Sequence, residues 1–392
     1  MTSSENPVVS PQPPGHHRTD RCGQCSIQRD RRGHRPATGG RRVARGGRVR
    51  RTEDAAMTEY GSGQLPIERV DCTSADDFLE KTSPWGPFFR QESVQYLLLL
   101  PWVFRGHSNS NWSLEPKAFR PGTEMLTAEL SRWEPIRGRT HQPSNFDQAL
   151  AEMHTLRAFY LLADQEGLSI PEDSQTLRAH MLDPWNYLIM LQREKMAWPP
   201  AELLSLAGLA QHQGLPTRLL DWSYNVSVAT YFACVDAAKE WARLETKKVG
   251  RLTKQQRLRR DGGRMEVWAL NLYMTTPHKG VELEKAPFVS LTAPGAGNEN
   301  LRAQQGLFTL DNPTHFRWDS AADVEPMDQK ILRHDGFTQP VLRRFQLEIR
   351  HAAHLLTLLA RARITGAKFF PGYPGVMKAL EERKWRILAG RA

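Results

Sequence analysis

Residues 211–225 read QHQGLPTRLLDWSYN and place an imidazole, a guanidinium, a carboxylate and an indole within twelve residues. These groups belong to His212, Arg218, Asp221 and Trp222. Gly214 permits a positive φ and Pro216 restricts the turn that follows it. The chain is therefore predicted to leave a helix, reverse its direction and enter a short strand over residues 217–222.

This stretch has two interpretations. In the first, His212, Arg218 and Asp221 line a polar site. In the second, Arg218 and Asp221 form a buried ion pair that joins the strand to a helix, while His212 caps a helix end and Trp222 fills the core. Both interpretations use the same residues, so the sequence leaves the choice between site and scaffold open.

A second polar cluster follows the apolar run QYLLLLPWVF over residues 95–104. Such a run predicts a buried strand, which we expect to end at Arg105, Gly106 and His107. Ligands of sheet-containing folds commonly bind beyond strand ends. Arg105 is therefore predicted to bind a ligand, with Gly106 and His107 beside it.

The positive charge of the chain is concentrated at its N-terminus. The formal net charge is +10 and the pI is near 9.6, which is typical of nucleic-acid-binding proteins. Residues 1–56 hold twelve arginines and no lysine against five acids, a net charge of +7, which leaves +3 for the remaining 336 residues. This leader is rich in Pro and Gly and poor in large apolar residues, so it is predicted to be disordered. Either translation begins at Met57 and the leader is not expressed, or the leader is an arm that contacts nucleic-acid phosphates.

Cysteine and hydropathy patterns exclude several classes of protein. Cys22 and Cys25 form a C-x-x-C pair, but no second ligand pair stands at a zinc-binding spacing, so no metal site is predicted. The leader lacks the apolar core of a signal peptide, and no apolar run approaches the roughly 18 residues that span a bilayer. We expect a cytoplasmic protein without a membrane partner.

Hydrophobic periodicity predicts an α+β fold with a mixed sheet and surrounding helices, in a single main domain over residues 57–392 with a core of about 76–385. Helices are predicted over 73–81, 144–167, 184–196, 199–210, 226–244, 355–363 and 376–385. Strands are predicted over 265–273 and 344–350, and a short helix leads through Gly306 into a further strand over 298–310. The basic insertion 247–264 is predicted to be a solvated loop, with a phosphate-binding patch as the alternative.

Motifs in four places resemble the bacterial FRG domain family, which is named after its first triplet. They are Phe104-Arg105-Gly106, the 211–222 stretch, Ala229-x-Tyr231-Phe232-Ala233 and Ala303-Gln304-Gln305-Gly306-x-Phe308, with Phe370-Pro371 similar to the closing segment. The resemblance covers about residues 76–385. Ser223 and Val226 depart from the family pattern, which usually has Thr and often Pro there. Most members of this family have no characterised function, so the resemblance does not define an activity.

The same residues are also reminiscent of ADP-ribosyltransferases, which would make NAD a candidate cofactor. That similarity implies that Arg105 holds the NAD diphosphate, because a guanidinium binds phosphate oxygens bidentately. Tyr231 or Phe232 would stack on nicotinamide, and Gln305 or Glu299 would replace the acidic residue that contacts ribose. The Glu-x-Glu or Gln-x-Glu pair of such enzymes does not occur there.

Two further functions fit the sequence, and whether the protein is an enzyme stays open. His212 and His107 could act as acid and base with Asp221 as the orienting carboxylate, in phosphodiester or phosphoanhydride cleavage. Alternatively, Arg105 and Arg218 could serve a non-catalytic module that binds a nucleotide or a nucleic-acid end in stress or phage defence. The predicted catalytic residues are His212, Asp221 and Gln305, and the predicted ligand-binding residues are Arg105, Gly106, His107, Arg218, Tyr231 and Arg302.

Overall fold

A mixed sheet lies at the centre of the fold. The computed structural model describes residues 66–89, 102–120, 143–247, 251–277, 282–292 and 299–389, together with Thr123 and Glu129. The strands within these residues are β1 (Ile67–Cys72), β2 (Trp102–His107), β3 (Leu220–Ser223), β4 (Arg264–Asn271), β5 (Phe288–Leu291), β6 (Gly306–Asp311) and β7 (Leu342–Glu348). They form one sheet in the order β1-β7-β4-β2-β3-β6-β5. β1 pairs parallel to β7, and the other neighbours pair antiparallel.

Helices surround this sheet, so the α+β prediction is confirmed. Among the described residues they are α1 (Ala75–Thr82), α2 (Asn145–Gln165), α3 (Gln175–Leu182), α4 (Pro184–Arg193), α5 (Ala201–His212), α6 (Val226–Thr246), α7 (Lys254–Gly262), α8 (Leu272–Thr275), α9 (Glu299–Gln304), α10 (Met327–Arg333), α11 (Ala352–Arg361), α12 (Gly366–Phe369) and α13 (Tyr373–Ala389). All described residues belong to one compact unit, Glu59–Ala392.

Side-chain caps explain where several predicted helices begin. Ser144 accepts a hydrogen bond from the backbone N–H of Asp147, whose carboxylate accepts one from the backbone N–H of Ser144, which completes a capping box at the start of α2. The Asp183 carboxylate caps α4, and the Asn225 side chain caps α6. These helices confirm the predicted ones to within a few residues at their ends.

The two faces of the sheet differ in polarity. Phe104, Val267 and Phe345 lie on the face that packs against α6 and α11, in a wholly apolar cluster. The opposite face is apolar at one end of the strands, where Val103 and Leu270 lie, and polar at the other end. This polar end adjoins the candidate site.

The predicted end of β2 is confirmed, whereas two other local predictions were wrong. Arg105, Gly106 and His107 are the last three residues of β2. β3 begins only at Leu220, because the backbone N–H of Leu219 donates to the Thr217 hydroxyl in a turn that interrupts regular strand geometry (3.2 Å).

The second wrong prediction is the solvated loop in the basic insertion, because residues Lys254–Gly262 form helix α7 with a capping box at Thr253. Arg259 and Arg260 pair with Glu240 and Glu245 of α6, at 3.0 and 3.1 Å. Ion pairs to a neighbouring helix hold this segment. Because these contacts join charged side chains, the hydrophobic pattern gave no sign of them.

Other predictions lie outside the described residues. These concern the leader 1–56, the Cys22 and Cys25 pair, the start at Met57 and the first part of the apolar run, residues 95–101. Among the helices that the structure does describe, none combines the length and apolarity needed to cross a bilayer.

Candidate functional site

A pocket opens where β2 and β3 separate. Among the described residues these strands share one register pair, Phe104 with Ser223, whereas β2 pairs with β4 along its whole length. Beyond that pair, Arg105 Nη1 donates to the backbone carbonyl of Asp221 (2.8 Å). A side chain thus satisfies an acceptor that the strand ladder leaves free, and it does so at the edge of the opening.

The pocket has a volume of about 400 Å³. Its polar lining comes from β2, the end of α5 and β3, and its apolar lining from α6, β6 and the turn after α12. The lining residues include Arg105, Ser108, Trp112, Gln211, His212, Asp221, Val228, Phe232, Asp236, Gln304, Leu307 and Phe370. A cavity of this size with one polar and one apolar wall is typical of a small-molecule site.

Arg105 is held in place on one side only. Its Nε donates to His107 Nε2 (3.1 Å), and its Nη1 lies 3.4 Å from Asp221 Oδ2 in addition to the carbonyl contact. The Arg105 side chain is 14% exposed and the Asp221 side chain 51%. Nη2 has no hydrogen-bond partner among the described residues. The guanidinium is therefore positioned with two N–H groups left to donate to a ligand.

His107 lies behind Arg105 and is buried. A guanidinium can only donate, so Nε2 must accept, and a neutral ring then carries its proton on Nδ1. Nδ1 lies 3.6 Å from Glu266 Oε1, a buried oxygen with no other hydrogen-bond partner. The Trp268 indole N–H, 3.3 Å from Nδ1, competes for the same position. Burial lowers the pKa of His107 and the Arg105 charge adds to this, while Glu266 opposes it.

His212 is the last residue of α5 and faces the pocket. Its ring makes an edge contact with Phe308, with 5.6 Å between ring centroids. Burial lowers the pKa of His212, and the charge of Asp221 acts in the opposite direction. The ring is therefore mostly neutral at pH 7 and can accept a proton.

Asp221 is oriented by the residue that opens the 211–225 stretch. Gln211 Nε2 donates to Asp221 Oδ1, and the Thr217 hydroxyl donates to the Gln211 amide oxygen. Asp221 Oδ2 faces Arg105. The carboxylate is therefore oriented from two sides while half of its surface stays exposed.

Gly106 lets β2 approach α6. A Cβ at this position would lie 1.9 Å from the carbonyl oxygen of Ala229 and 2.8 Å from the backbone nitrogen of Ala233. Any larger residue would separate the strand from the helix, and both elements line the pocket. The glycine of the Phe-Arg-Gly triplet thus has a packing role.

Arg218 lies outside the pocket and is sealed in the core. It pairs bidentately with Glu152 of α2, with Nε donating to Oε2 (2.8 Å) and Nη2 to Oε1 (3.0 Å). Both side chains are 8% exposed, and Glu152 also accepts from the indole N–H of Trp198 (2.9 Å). The buried pair expected in the scaffold interpretation exists, but its carboxylate is Glu152 and not Asp221, so that pairing was wrong.

The remaining predicted site residues also lie away from the pocket. The Tyr231 hydroxyl donates to Glu382 of α13 (2.6 Å), and its side chain is buried. Gln305 is exposed at a φ of 49°, and its carbonyl accepts from the backbone N–H of Tyr224 (3.1 Å). Arg302 is exposed on α9. Of the predicted set, the structure brings together Arg105, Gly106, His212 and Asp221, with His107 directly behind them.

Several lining residues were not predicted from the sequence. Gln211 belongs to the 211–225 stretch, and Gln304 is the neighbour of the predicted Gln305. Both residues therefore lie in motifs from which they could have been predicted. Trp112 belongs to a polar loop, and Asp236 interrupts the apolar pattern of α6. Phe232, by contrast, was a candidate for stacking on nicotinamide, and it is 37% exposed and lines the pocket.

No group of three or more His, Cys, Asp or Glu side chains within the described residues is arranged to hold a metal ion. Among the described residues, the polar groups that face the pocket include one guanidinium, one imidazole, two carboxylates and several amides. These groups suit an organic ligand with both acceptor and donor groups.

Residues 101–241 match the family model of the FRG domain. The matched segment includes β2, α5, β3 and most of α6, which supply most of the pocket's polar wall. No curated protein and no solved structure is significantly similar to the chain.

Proposed function

We propose that the pocket of this FRG domain binds a nucleotide, with Arg105 contacting a phosphate group. The observation that carries this proposal is the arrangement of Arg105, which is fixed by His107 and Asp221 and keeps Nη2 free towards a cavity of about 400 Å³. A pre-positioned guanidinium binds phosphate oxygens through charge-assisted hydrogen bonds.

The charged residues that line the pocket indicate which nucleotides it can bind. Among the described residues of the lining, Arg105 is the one cation, and Asp221 and Asp236 are the acids. Two carboxylates would repel a ligand with several clustered phosphates, but they accept hydrogen bonds from ribose hydroxyls or amino groups. The balance therefore favours a nucleotide with a single phosphate, or a dinucleotide, over a nucleoside triphosphate or inorganic pyrophosphate.

Aromatic side chains supply the second element of a nucleotide site. Phe232 and Phe370 line the apolar wall with ring centroids 5.9 Å apart, and Trp112 stands at the mouth with 53% of its surface exposed. A base or a nicotinamide ring can stack on such side chains. Of the residues assigned in the ADP-ribosyltransferase hypothesis, Arg105 and Phe232 line the pocket, and Tyr231, Gln305 and Glu299 do not.

A second candidate function is cleavage of a phosphodiester or phosphoanhydride bond. The observation that favours it is a half-buried, largely neutral His212 in the same pocket as Arg105 and Asp221. A neutral imidazole can take a proton from an attacking water or hydroxyl, and Arg105 would stabilise the charge that develops on the phosphate. His107 has no such role here, because its Nε2 is occupied by Arg105.

The proposal is tested by titration calorimetry of the full-length protein with AMP, NAD and pyrophosphate. We expect AMP or NAD to bind and pyrophosphate to bind at least tenfold more weakly. Arg105→Gln should weaken nucleotide binding by roughly 10- to 100-fold, the loss expected for a charge-assisted hydrogen bond. The control is Arg361→Gln, which removes an exposed arginine on α11.

Equal binding by the Arg105 and Arg361 variants would contradict the proposal, as would the absence of binding to any nucleotide by folded wild-type protein. The cleavage hypothesis is tested separately by incubating the protein with NAD and with a dinucleotide and separating the products. Turnover that His212→Gln abolishes while nucleotide binding persists would support it, and binding without turnover would leave a binding module.

A further inference from the structure

Two rows of polar side chains cross one face of the sheet. In register, Arg69 of β1 lies opposite Arg344 of β7, Arg344 opposite Trp268 of β4, and Trp268 opposite Arg105 of β2. The second row, two residues away on each strand, is Asp71, Gln346, Glu266 and His107. Residues two apart on a strand share a face, so these rows form one polar surface of the sheet, which starts at Arg105 and is buried at Trp268, Gln346, Glu266 and His107.

The far end of this surface is a second cavity of about 470 Å³. Arg69, Arg264 and Arg344 line it, and the rest of its described lining is almost wholly polar, with Asp328 as the one acid. The Asp328 Oδ1 atom already accepts the backbone N–H of Leu114 (2.7 Å). Arg69 and Arg344 lie directly opposite each other on neighbouring strands and concentrate positive charge there, since like charges at such positions repel each other.

Each of these arginines pairs with a carboxylate and still has unused N–H donors. Asp71 accepts from Arg69 Nε and Nη2 and from Arg264 Nη1. Glu266 accepts from Arg344 Nε and Nη2, at 3.0 and 2.8 Å. Arg69 Nη1, Arg264 Nη2 and Arg344 Nη1 have no partner among the described residues. The carboxylates therefore position the guanidinium groups without using all of their N–H donors.

Trp112 connects this second cavity with the pocket, since it lines both. Its ring packs edge-on against His107, with 6.0 Å between ring centroids, and half of its surface is exposed. We propose that the second cavity binds a further phosphate of the same ligand, and that this ligand is a single-stranded nucleic acid. One nucleotide would occupy the pocket, Trp112 would stack on the adjacent base, and the arginines would contact the following phosphate.

The spacing of the two anion sites supports a polymer over one nucleotide. Neighbouring strands lie about 4.8 Å apart, so two strand spacings put the backbones of Arg105 and Arg344 at about 10 Å from each other. The two guanidinium groups also line different cavities, which suits two phosphates of a polymer better than the adjoining phosphates of a diphosphate group. Stacking on an exposed aromatic ring between two phosphate contacts is the usual mode of single-strand binding. This inference rests on the proposed nucleotide site.

The test compares ligands of increasing length in calorimetry with the full-length protein: AMP, the dinucleotide pApA and the tetranucleotide pApApApA. We expect pApA to bind about tenfold more tightly than AMP, as one added charge-assisted contact would give. The double variant Arg69→Gln with Arg264→Gln should lose this gain and bind AMP as the wild type does. Its partner Asp71 is half exposed, so the variant should fold.

Because the arginine-rich leader attracts any nucleic acid, the control must change the net charge equally. Arg361→Gln with Arg383→Gln removes two exposed arginines outside both cavities. Equal loss of tetranucleotide affinity in both double variants would overturn the inference, and so would equal affinities of AMP and pApA for the wild type.

Failure of the proposed function would look different: AMP would not bind the wild type at all. In that event, the tetranucleotide could still bind the wild type. If the Arg69 and Arg264 double variant weakened this binding more than the control variant did, the second cavity would still be assigned to nucleic-acid phosphate. Binding that both double variants weaken equally would reject it.

Discussion

Arg105 and Arg218 belong to the two most polar motifs of the chain and have opposite surroundings. Arg218 makes a bidentate pair with Glu152 in which both side chains are 8% exposed. Arg105 is bonded on one side to His107 and Asp221 and faces a cavity on the other. Each motif supplies a guanidinium, but only the one whose donors are not all used can bind a ligand. Unused N–H donors, more than the presence of an arginine, distinguish a residue of a binding site from a residue that only stabilises the fold.

The largest effect should follow from removing the buried cation. Arg218→Met leaves the Glu152 carboxylate buried without its charge partner, which typically costs about 3–5 kcal/mol of unfolding free energy. Arg105→Met should cost about 1 kcal/mol or less, because Asp221 is half exposed to water. Urea denaturation of both variants measures the difference.

The double variant Arg218→Met with Glu152→Leu is the control for this prediction. An apolar pair of similar volume often replaces a buried ion pair at little cost, so much of the stability should return. If Arg105→Met and Arg218→Met destabilised the protein equally, the division into site and scaffold would not hold.

Substitutions at two glycines compare a backbone position in close contact with a helix and one without such a contact. Gly106→Ala places a Cβ against the α6 backbone, at 1.9 Å from the Ala229 oxygen, and should cost about 1–3 kcal/mol. Gly214→Ala meets no atom within 4 Å, so only its φ of +100° opposes it, at about 1 kcal/mol. Thermal unfolding should rank the Gly106 variant below the Gly214 variant. The reverse order would show that β2 does not depend on close contact with α6.

The dependence of stability on pH should come partly from the site. His107 is buried with a lowered pKa, so below about pH 6.5 the unfolded chain binds a proton before the folded protein does. Its contribution to stability is complete above that pH and is lost as the pH falls towards the folded pKa. Over that window the loss is about 1.4 kcal/mol per pH unit for a single group.

Urea denaturation at pH 7.5, 6.5 and 5.5 measures this slope. His107→Gln should reduce it without abolishing it, because burial also lowers the pKa of His180, His212 and His351. An unchanged slope in the variant would mean that His107 takes up its proton in the folded protein as readily as in the unfolded chain.

The smallest effect concerns a residue that the sequence assigned to the ligand. Arg302 is exposed on α9 and does not line the pocket. Arg302→Gln should therefore change nucleotide affinity by less than about twofold, within the range of surface charge effects. Calorimetry with AMP tests this. A loss of AMP affinity as large as that caused by Arg105→Gln would show that Arg302 contacts the ligand.

Much of the fold could be predicted from local pattern. Helices α2, α4 and α6 begin at side-chain caps and carry apolar residues at helical spacing, signals that depend on a few neighbouring residues. β1, β5 and the helices α3 and α10 were missed. Short strands at the edges of a sheet carry little periodicity, and their pairing partners lie far along the chain.

The sequence by itself determined the FRG motifs, the α+β class and the presence of Arg105, Gly106, His212 and Asp221 in polar stretches. Only the tertiary structure decided that Arg218 is sealed against Glu152, that Tyr231 faces Glu382, and that β2 and β3 separate to open the pocket. The reason is that a side chain's role depends on which donors and acceptors its partners have already satisfied. Those partners lie 66 residues away for Arg218, 116 for Arg105 and 151 for Tyr231. Separations of this length leave no periodic trace in the sequence, and only folding brings the groups into contact.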